Sequence, residues 1–359
     1  MTEMTLRRQR ITPTSTEHWL SLRVPDVTST DASALFGMSP YKTRFELYHE
    51  KRDAVPISID DNERMETGRE IEPVIARLFA RRYGVKIRAL NQYTRIILTE
   101  GLGVPHGIGA SFDYEIVGLA DDWTGTDATY RTLYEQHGAG LLECKNVDGL
   151  VHARNWKRGR TDEGEDASEA PDHIEVQLQA QLECANRAWG VICPLIGGNR
   201  LAPIARTRDA EFGEYLRAEA TKFWLEVLAG TPPPAVMPDD AEAIIRLYGH
   251  AEPGKLADLR DDPTAEQLAA DYRAALDMEN EAKERKAVAR AEMLQLLADK
   301  GTPDAERILT GSHKISAGIV APTKGKLVTE EMIGTYVGAR KGYRGFRISP
   351  LKGANNVDG

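Results

Sequence analysis

The sequence predicts an α/β fold in which a mixed central sheet is flanked by helices, followed by a helical segment and a small α+β appendage. Three observations carry this: short apolar runs bounded by glycine, amphipathic segments closed by helix-stop residues, and a proline block that divides the chain. Residues 85–99, 107–148 and 190–207 read as strands, the last turning at Gly197-Gly198-Asn199. Residues 16–100 otherwise read as mainly helical. Residues 71–83 form the clearest amphipathic segment, ending at Gly84; 173–187 and 212–228 are further helices. Gly230 and Pro232-Pro233-Pro234 stop the last of these. Residues 121–138, rich in Asp, Gly and Thr, read as an extended hairpin tip or insertion, and 158–172 as a flexible acidic loop. Past the prolines, Thr264-Ala265-Glu266-Gln267 has capping-box form and opens a long helix running to about Lys300. Strand-like pieces at 307–319 and 343–350 then flank a helix near 329–336. The expected organisation is a mobile segment 1–14, a main domain 15–234, a helical segment 235–305 and an α+β module 306–359.

Composition narrows the function classes. No apolar run reaches membrane length and no secretory core follows Met1, so a soluble, cytoplasmic protein is expected. Cys144, Cys184 and Cys193 are the three cysteines; they lack CxxC spacing, which fits a reducing compartment and counts against an Fe–S cluster held by four thiolates. No G-x-x-x-x-G-K-[ST] occurs, so ATP-driven translocation is not supported. The net charge of −9 does not advertise nucleic-acid binding, but the acid is concentrated at 161–166 and 239–262. Basic and aromatic residues interleave at 152–160, including Arg154 and Lys157, and again at 340–347. Such clusters neutralise phosphates and stack on bases; a solubilising loop or a charged strand face would look the same.

The most informative stretch is 107–148. Gly140-Leu141-Leu142-Glu143-Cys144-Lys145 reads as a buried strand, which puts Glu143 and Lys145 on one face and Leu142 and Cys144 on the other. Asp113 ends an apolar segment on a candidate neighbouring strand. Two carboxylates on adjacent strands can share a hard, oxygen-seeking cation such as Mg²⁺, and the ammonium can orient or help deprotonate an attacking water. That is the equipment of a metal-dependent nuclease. A plain Glu143–Lys145 salt bridge would satisfy the same burial argument.

Other segments occur in a fixed order around this core. They are Trp19-Leu20-Ser21-Leu22-Arg23, then 27–43 with Thr30 and Ser39-Pro40-Tyr41-Lys42, then Gly68-Arg69-Glu70-Ile71-Glu72-Pro73, and after the strand Gln177-Leu178-Gln179-Ala180-Gln181-Leu182. Over about residues 15–230 this set resembles the YqaJ-type viral recombinases, relatives of phage lambda exonuclease in the PD-(D/E)xK nuclease superfamily. The resemblance implies a restriction-endonuclease-like core. Asp113 and Glu143 would be metal ligands together with the Cys144 backbone carbonyl, and Lys145 the catalytic lysine. Glu72 would be an upstream helix carboxylate near the metals and Gln177 a glutamine beside the lysine. Arg23 and Thr30 would engage the 5′-phosphate at a DNA end, Thr30 standing where serine is more usual. The Asp113–Glu143 separation is long for the family.

The implied activity is Mg²⁺-dependent resection of linear double-stranded DNA from the 5′ end, Mn²⁺ being a possible substitute. It would leave 3′ single strand for an annealing protein or recombinase in a phage- or prophage-bearing bacterial cell. The resemblance also implies a homo-oligomer, a ring trimer threading DNA. Two other readings stay open: a different PD-(D/E)xK nuclease (an endonuclease or RecB-type enzyme), or a non-catalytic DNA-binding recombination scaffold. Among the supporting residues, Glu72 with Arg69 and Arg77 could be a solvated helix pair. Gln177 and Gln181 could be an exposed polar stripe, and Arg23 and Thr30 could flank the helix starting near Asp31.

Overall fold

The computed structural model describes residues 6–53, 63–99, 105–160 and 166–318, with the backbone alone at 64, 157–160 and 166–168. Contacts divide the chain into two units, Met1–Ile244 and Ile245–Gly359. The first unit opens with β1 (Arg8–Ile11), α1 (Thr16–Arg23), β2 (Asp26–Thr28), α2 (Ala32–Leu35), α3 (Arg44–Arg52) and α4 (Glu63–Tyr83). The central strands are β3 (Val85–Ala89), β4 (Tyr93–Thr99), β5 (His106–Ser111) and β6 (Tyr114–Leu119), then α5 (Thr129–His137) and β7 (Gly140–Val147). After these come α6 (Gly149–Asn155), β8 (Lys157–Arg160), β9 (Asp166–Glu169), α7 (Asp172–Ala185), β10 (Trp189–Ile196), β11 (Arg200–Leu201), β12 (Ile204–Thr207), α8 (Ala210–Ala229) and α9 (Ala241–Leu247).

The strands form two mixed sheets. One has the order β1-β4-β5-β2; the other runs β11-β10-β7-β6-β3, with β12 also on β10. Parallel pairing occurs at β10–β7 and β2–β5, antiparallel elsewhere in both sheets. The expected α/β class with a mixed sheet flanked by helices is therefore observed. Side chains of β7 and β10 alternate between two cores, as the period of two requires. Leu141, Val147 and Ile192 pack with Ile174, Leu178, Leu216 and Trp224, from α7 and α8. Leu142, Cys144, Val191 and Cys193 pack with Ile75, Phe79 and Tyr83 from α4 and Tyr130 from α5. Because both faces of these strands are covered, β10 reads as an unbroken apolar run, and in β7 only Glu143, Lys145 and Asn146 interrupt one.

Several elements differ from the sequence reading. Residues 8–11, expected to be mobile, form the edge strand β1 paired with β4, and the Arg8 guanidinium donates to the Glu183 carbonyl at 3.3 Å. The 121–138 segment is no hairpin tip: it holds helix α5, fixed by Tyr130 in the core and by the Tyr134 hydroxyl on the Val117 carbonyl at 2.8 Å. This inserted helix accounts for the long Asp113–Glu143 separation. Helix α4 starts before the Gly68–Pro73 motif and runs through Pro73, where a proline removes one backbone donor. Part of the expected acidic loop is a β8–β9 hairpin. The first unit also continues past the triple proline, where Asp240, 1% exposed, accepts from the Thr43 hydroxyl at 2.5 Å and from Val236 N–H at 2.6 Å.

The second unit contains α10 (Pro263–Asp299) and a hairpin of β13 (Arg307–Leu309) and β14 (Lys314–Ser316). Its long helix is capped by Asp262, whose Oδ1 accepts from Thr264 and Ala265 N–H, rather than by Thr264. The proline at the first helical position suits a site whose N–H would be unpaired anyway. The expected helix at 329–336, the strand at 343–350 and the basic cluster at 340–347 lie outside the described residues.

Candidate active site

Strand β7 presents Glu143 and Lys145 on the face covered by α7. Glu143 is 4% exposed and Lys145 26%, and Lys145 Nζ lies 2.7 Å from Glu143 Oε1. The salt bridge considered from sequence is thus present, but it is not isolated. Gln177 Nε2 donates to the same Oε1 at 2.6 Å, while its Oε1 accepts from Lys145 Nζ at 3.2 Å. One turn along α7, Gln181 Nε2 donates to Glu143 Oε2 at 2.7 Å and to the Ser111 carbonyl at 3.1 Å. Both glutamines are buried, so they are not an exposed stripe. Sequence reasoning singled out Gln177 but left Gln181 out of the site. The signal was its i+4 spacing from Gln177 on a helix that crosses the strand.

Asp113 reaches this group from the other side. It does not lie on β5 but in the two-residue link between β5 and β6, where the chain leaves one sheet and enters the other. The strand beside β7 is β6, paired with it from Tyr114↔Leu142 onward, which puts Asp113 opposite Glu143 by extension of the register. Asp113 Oδ2 accepts from the Cys144 N–H at 2.8 Å. The Cys144 thiol turns into the opposite core, and burial, reinforced by the Asp113 charge, pushes its ionisation far above the ordinary range. It is a packing group there, leaving the backbone of Cys144 to face the acids.

Electrostatics show what the site lacks. Burial, then repulsion from Glu143 and Glu72, raises the Asp113 carboxyl well above its usual range, against the opposing pull of Lys145 and the Cys144 N–H. Glu72, on α4 and partly exposed, is likewise raised by burial and by Glu143, with Lys145 opposing. Lys145 itself is raised: burial works against its charge, but Glu143 and Asp113 outweigh it. Three carboxylates thus share one ammonium, an excess of negative charge that a hard cation with oxygen ligands would relieve. The donor set fits Mg²⁺ or Mn²⁺ in kind. Among the described residues no three Asp, Glu, His or Cys side chains form a ready-made cage; the Glu143 oxygens are held by Lys145, Gln177 and Gln181.

The remaining candidates lie elsewhere. Arg23 ends α1 with its guanidinium 4.5 Å over the Trp19 ring, and the exposed Thr30 hydroxyl is 2.9 Å from Thr28 Oγ1. Neither has a direct hydrogen bond to Glu143 or Asp113 among the described residues. Nearby Asp31 stands at the N-cap position of α2 without a side-chain capping bond; although burial opposes its ionisation, Lys51, Lys42 and Thr28 hold its carboxyl well below the usual range. A physical link does exist between the two groups: Trp19 Nε1 donates to Ser111 Oγ at 2.8 Å, and the Ser111 carbonyl is the second acceptor of Gln181. Arg154 is exposed on α6, whereas the Lys157 side chain is outside the described residues.

Residues 18–188 match the YqaJ-like viral recombinase domain. The uncharacterized protein YqaJ of Bacillus subtilis (strain 168) is 26% identical over 249 residues, covering 68% of this chain and 67% of that protein. Among solved structures, the alkaline exonuclease LHK-Exo from Laribacter hongkongensis aligns with a TM-score of 0.39 and 19% identity, over 60% of this chain and 94% of its own. The structure of LHK-Exo in complex with dAMP aligns at 0.39 and 18%, over 65% and 100%. No helix among the described residues is long and apolar enough to cross a membrane. Arg23, Glu72, Asp113, Glu143, Lys145 and Gln177 all fall within residues 18–188, the segment that matches the YqaJ-like viral recombinase domain.

Proposed function

We propose that this protein is a Mg²⁺-dependent exodeoxyribonuclease that resects linear double-stranded DNA from the 5′ end. The 3′ single strand left behind serves a single-strand annealing protein or recombinase. The observation that carries the reading is the convergence of Asp113, Glu143 and Lys145 around the middle of β7, with negative charge in excess. In this reading Asp113, Glu143 and the Cys144 carbonyl hold the ion and Glu72 faces it from α4. A divalent ion bound there would acidify a water and neutralise charge on the scissile phosphate.

The chain's own groups then have separable tasks. Gln177 and Gln181 clamp Glu143 from both sides and fix where its lone pairs point. Glu143 and Asp113 favour the charged form of Lys145, which would orient the attacking water or help deprotonate it once the ion relieves those carboxylates, and would offset phosphate charge. Arg23 and Thr30 take the terminal 5′-phosphate, and Arg154 and Lys157 contact the backbone further along the duplex. A ring-shaped homo-oligomer would keep the enzyme on its DNA through many cycles.

The test is digestion of linear duplexes labelled at either end, with and without 5′-phosphate, in Mg²⁺, Mn²⁺ or EDTA. Loss of the 5′ label first, only with metal, is expected. A covalently closed plasmid should survive; its cleavage would assign the site to an endonuclease instead. Metal-independent binding without any digestion would leave a DNA-binding scaffold.

A further inference from the structure

His173, Gln177 and Gln181 recur at every fourth position of α7 and so share one face of the helix. The two glutamines hold Glu143, and Gln177 also meets Lys145. His173 therefore stands one turn nearer the N-terminus, about 6 Å along the axis, at the outer edge of the carboxylate cluster. Burial and the Lys145 charge both disfavour its protonated form, which agrees with that placement. Against His173 lies Tyr41, ring centroids 5.5 Å apart and planes at 90°. Tyr41 is 82% exposed.

The tyrosine is presented on a fixed loop. Ser39 Oγ accepts from both the Tyr41 and Lys42 N–H groups at 3.2 Å. The next side chain is anchored inward, Lys42 Nζ lying 3.1 Å from Asp31 Oδ1 and also paired with Glu50. A ring held by its backbone and by one edge contact, with most of its surface in water, loses little freedom when a flat ligand covers it.

We propose that Tyr41, backed by His173, is a stacking platform for the terminal nucleobase of the strand being cut. The proposal rests on the nuclease reading and adds a base-binding site to it. Every base has a π-face, so stacking of this kind tolerates any sequence, as an enzyme that shortens a strand one nucleotide after another requires. The base that leaves its partner at the duplex end would otherwise expose apolar surface beside the charged cluster; Tyr41 gives it a place to lie while its phosphate faces Lys145.

The experiment uses full-length protein in EDTA, where no turnover occurs, and duplexes carrying 2-aminopurine either at the terminal position of each strand in turn or ten pairs inward. Wild type and Tyr41→Phe should quench the terminal probe on one strand and leave the interior probe unchanged. Tyr41→Ala should abolish that quench and weaken end binding about 5- to 100-fold, the value of one base–aromatic stack; His173→Ala should reduce the quench partially. An undiminished quench with Tyr41→Ala, or equal quenching at terminal and interior positions, overturns the platform. Digestion of end-labelled duplex in Mg²⁺ is run alongside. If wild type digests and the quench ignores Tyr41, only the platform fails; if wild type never digests, the nuclease reading falls and the platform with it.

Discussion

Replacing Gln181 with leucine measures what the clamp on Glu143 contributes. The Gln181 amide donates to Glu143 Oε2 at 2.7 Å and to the Ser111 carbonyl at 3.1 Å, and the side chain is 3% exposed. Leucine nearly preserves volume and helix propensity, so the loss is confined to those two contacts. A hydrogen bond to a charged acceptor is worth about 1.5–3 kcal/mol and an ordinary one about 0.5–1.5 kcal/mol. The added apolar area of leucine offsets roughly 1 kcal/mol of that sum. Gln181→Leu should therefore destabilise the fold by about 1–3.5 kcal/mol. Urea unfolding followed by tryptophan fluorescence checks this, since Trp189 and Trp224 are buried in the first unit; the midpoint should fall with the slope unchanged. Mg²⁺ affinity by calorimetry should fall about 10- to 100-fold, as for other partners that orient a ligating carboxylate. A midpoint shift below about 0.5 kcal/mol together with unaltered Mg²⁺ binding would refute the clamp.

Three further outcomes are expected. Asp113 has a raised carboxyl pKa, so the unfolded chain releases that proton first and the associated stability, present at acid pH, is lost as pH rises through the folded-state value. Asp113→Asn keeps an acceptor for the Cys144 N–H without the charge; in EDTA it should be more stable than wild type at pH 8, less so near pH 4, and Mg²⁺ should raise the melting temperature of wild type only. A less stable variant at pH 8 would contradict the charge-excess argument. Lys145→Met should lower the rate of DNA hydrolysis about 100- to 1,000-fold while retaining DNA binding by anisotropy; an unchanged rate would remove Lys145 from the chemistry. Gly109→Ala would place a Cβ 1.8 Å from the Tyr93 hydroxyl and 2.7 Å from Asp26 Oδ2, in a buried pair that is itself bonded at 2.8 Å. It should cost about 3 kcal/mol or more, read as a lowered unfolding midpoint.

Much of the site was legible because strand periodicity is strict. Once Gly140–Lys145 reads as a buried strand, Glu143 and Lys145 must share a face, and the structure places them 2.7 Å apart. The sheet assignment of Asp113 was not legible. A run such as Ile108–Phe112 carries no mark of which neighbour its backbone will pair with, and β5 joins the other sheet, leaving β6 beside β7. Helix α5 was hidden for a different reason. Tyr130, Leu133 and Tyr134 do fall at helical spacing, but the Asp, Gly and Thr of residues 121–129 before them read as turn residues and drew the whole segment into a loop. Gln181 was passed over because a glutamine on a helix is usually a solvated residue; its burial follows from what it faces.

The sheet crossover that hid Asp113 is also what makes its position useful. In the link between β5 and β6 it stands one residue before the first paired residue of β6, its carbonyl accepting from the Leu90 N–H at 3.2 Å and its Oδ2 from the Cys144 N–H at 2.8 Å. Just before the link, Ser111 ends β5; its carbonyl holds Gln181 and its hydroxyl accepts from Trp19, the ring under Arg23. Residues 111–113 thus tie the acid cluster to the N-terminal helix through two sheets and α7. A substitution that shifts this link by even a fraction of an ångström would disturb the acids and the arginine together. The two groups are therefore joined through Ser111, Gln181 and Trp19, although no hydrogen bond links them directly among the described residues.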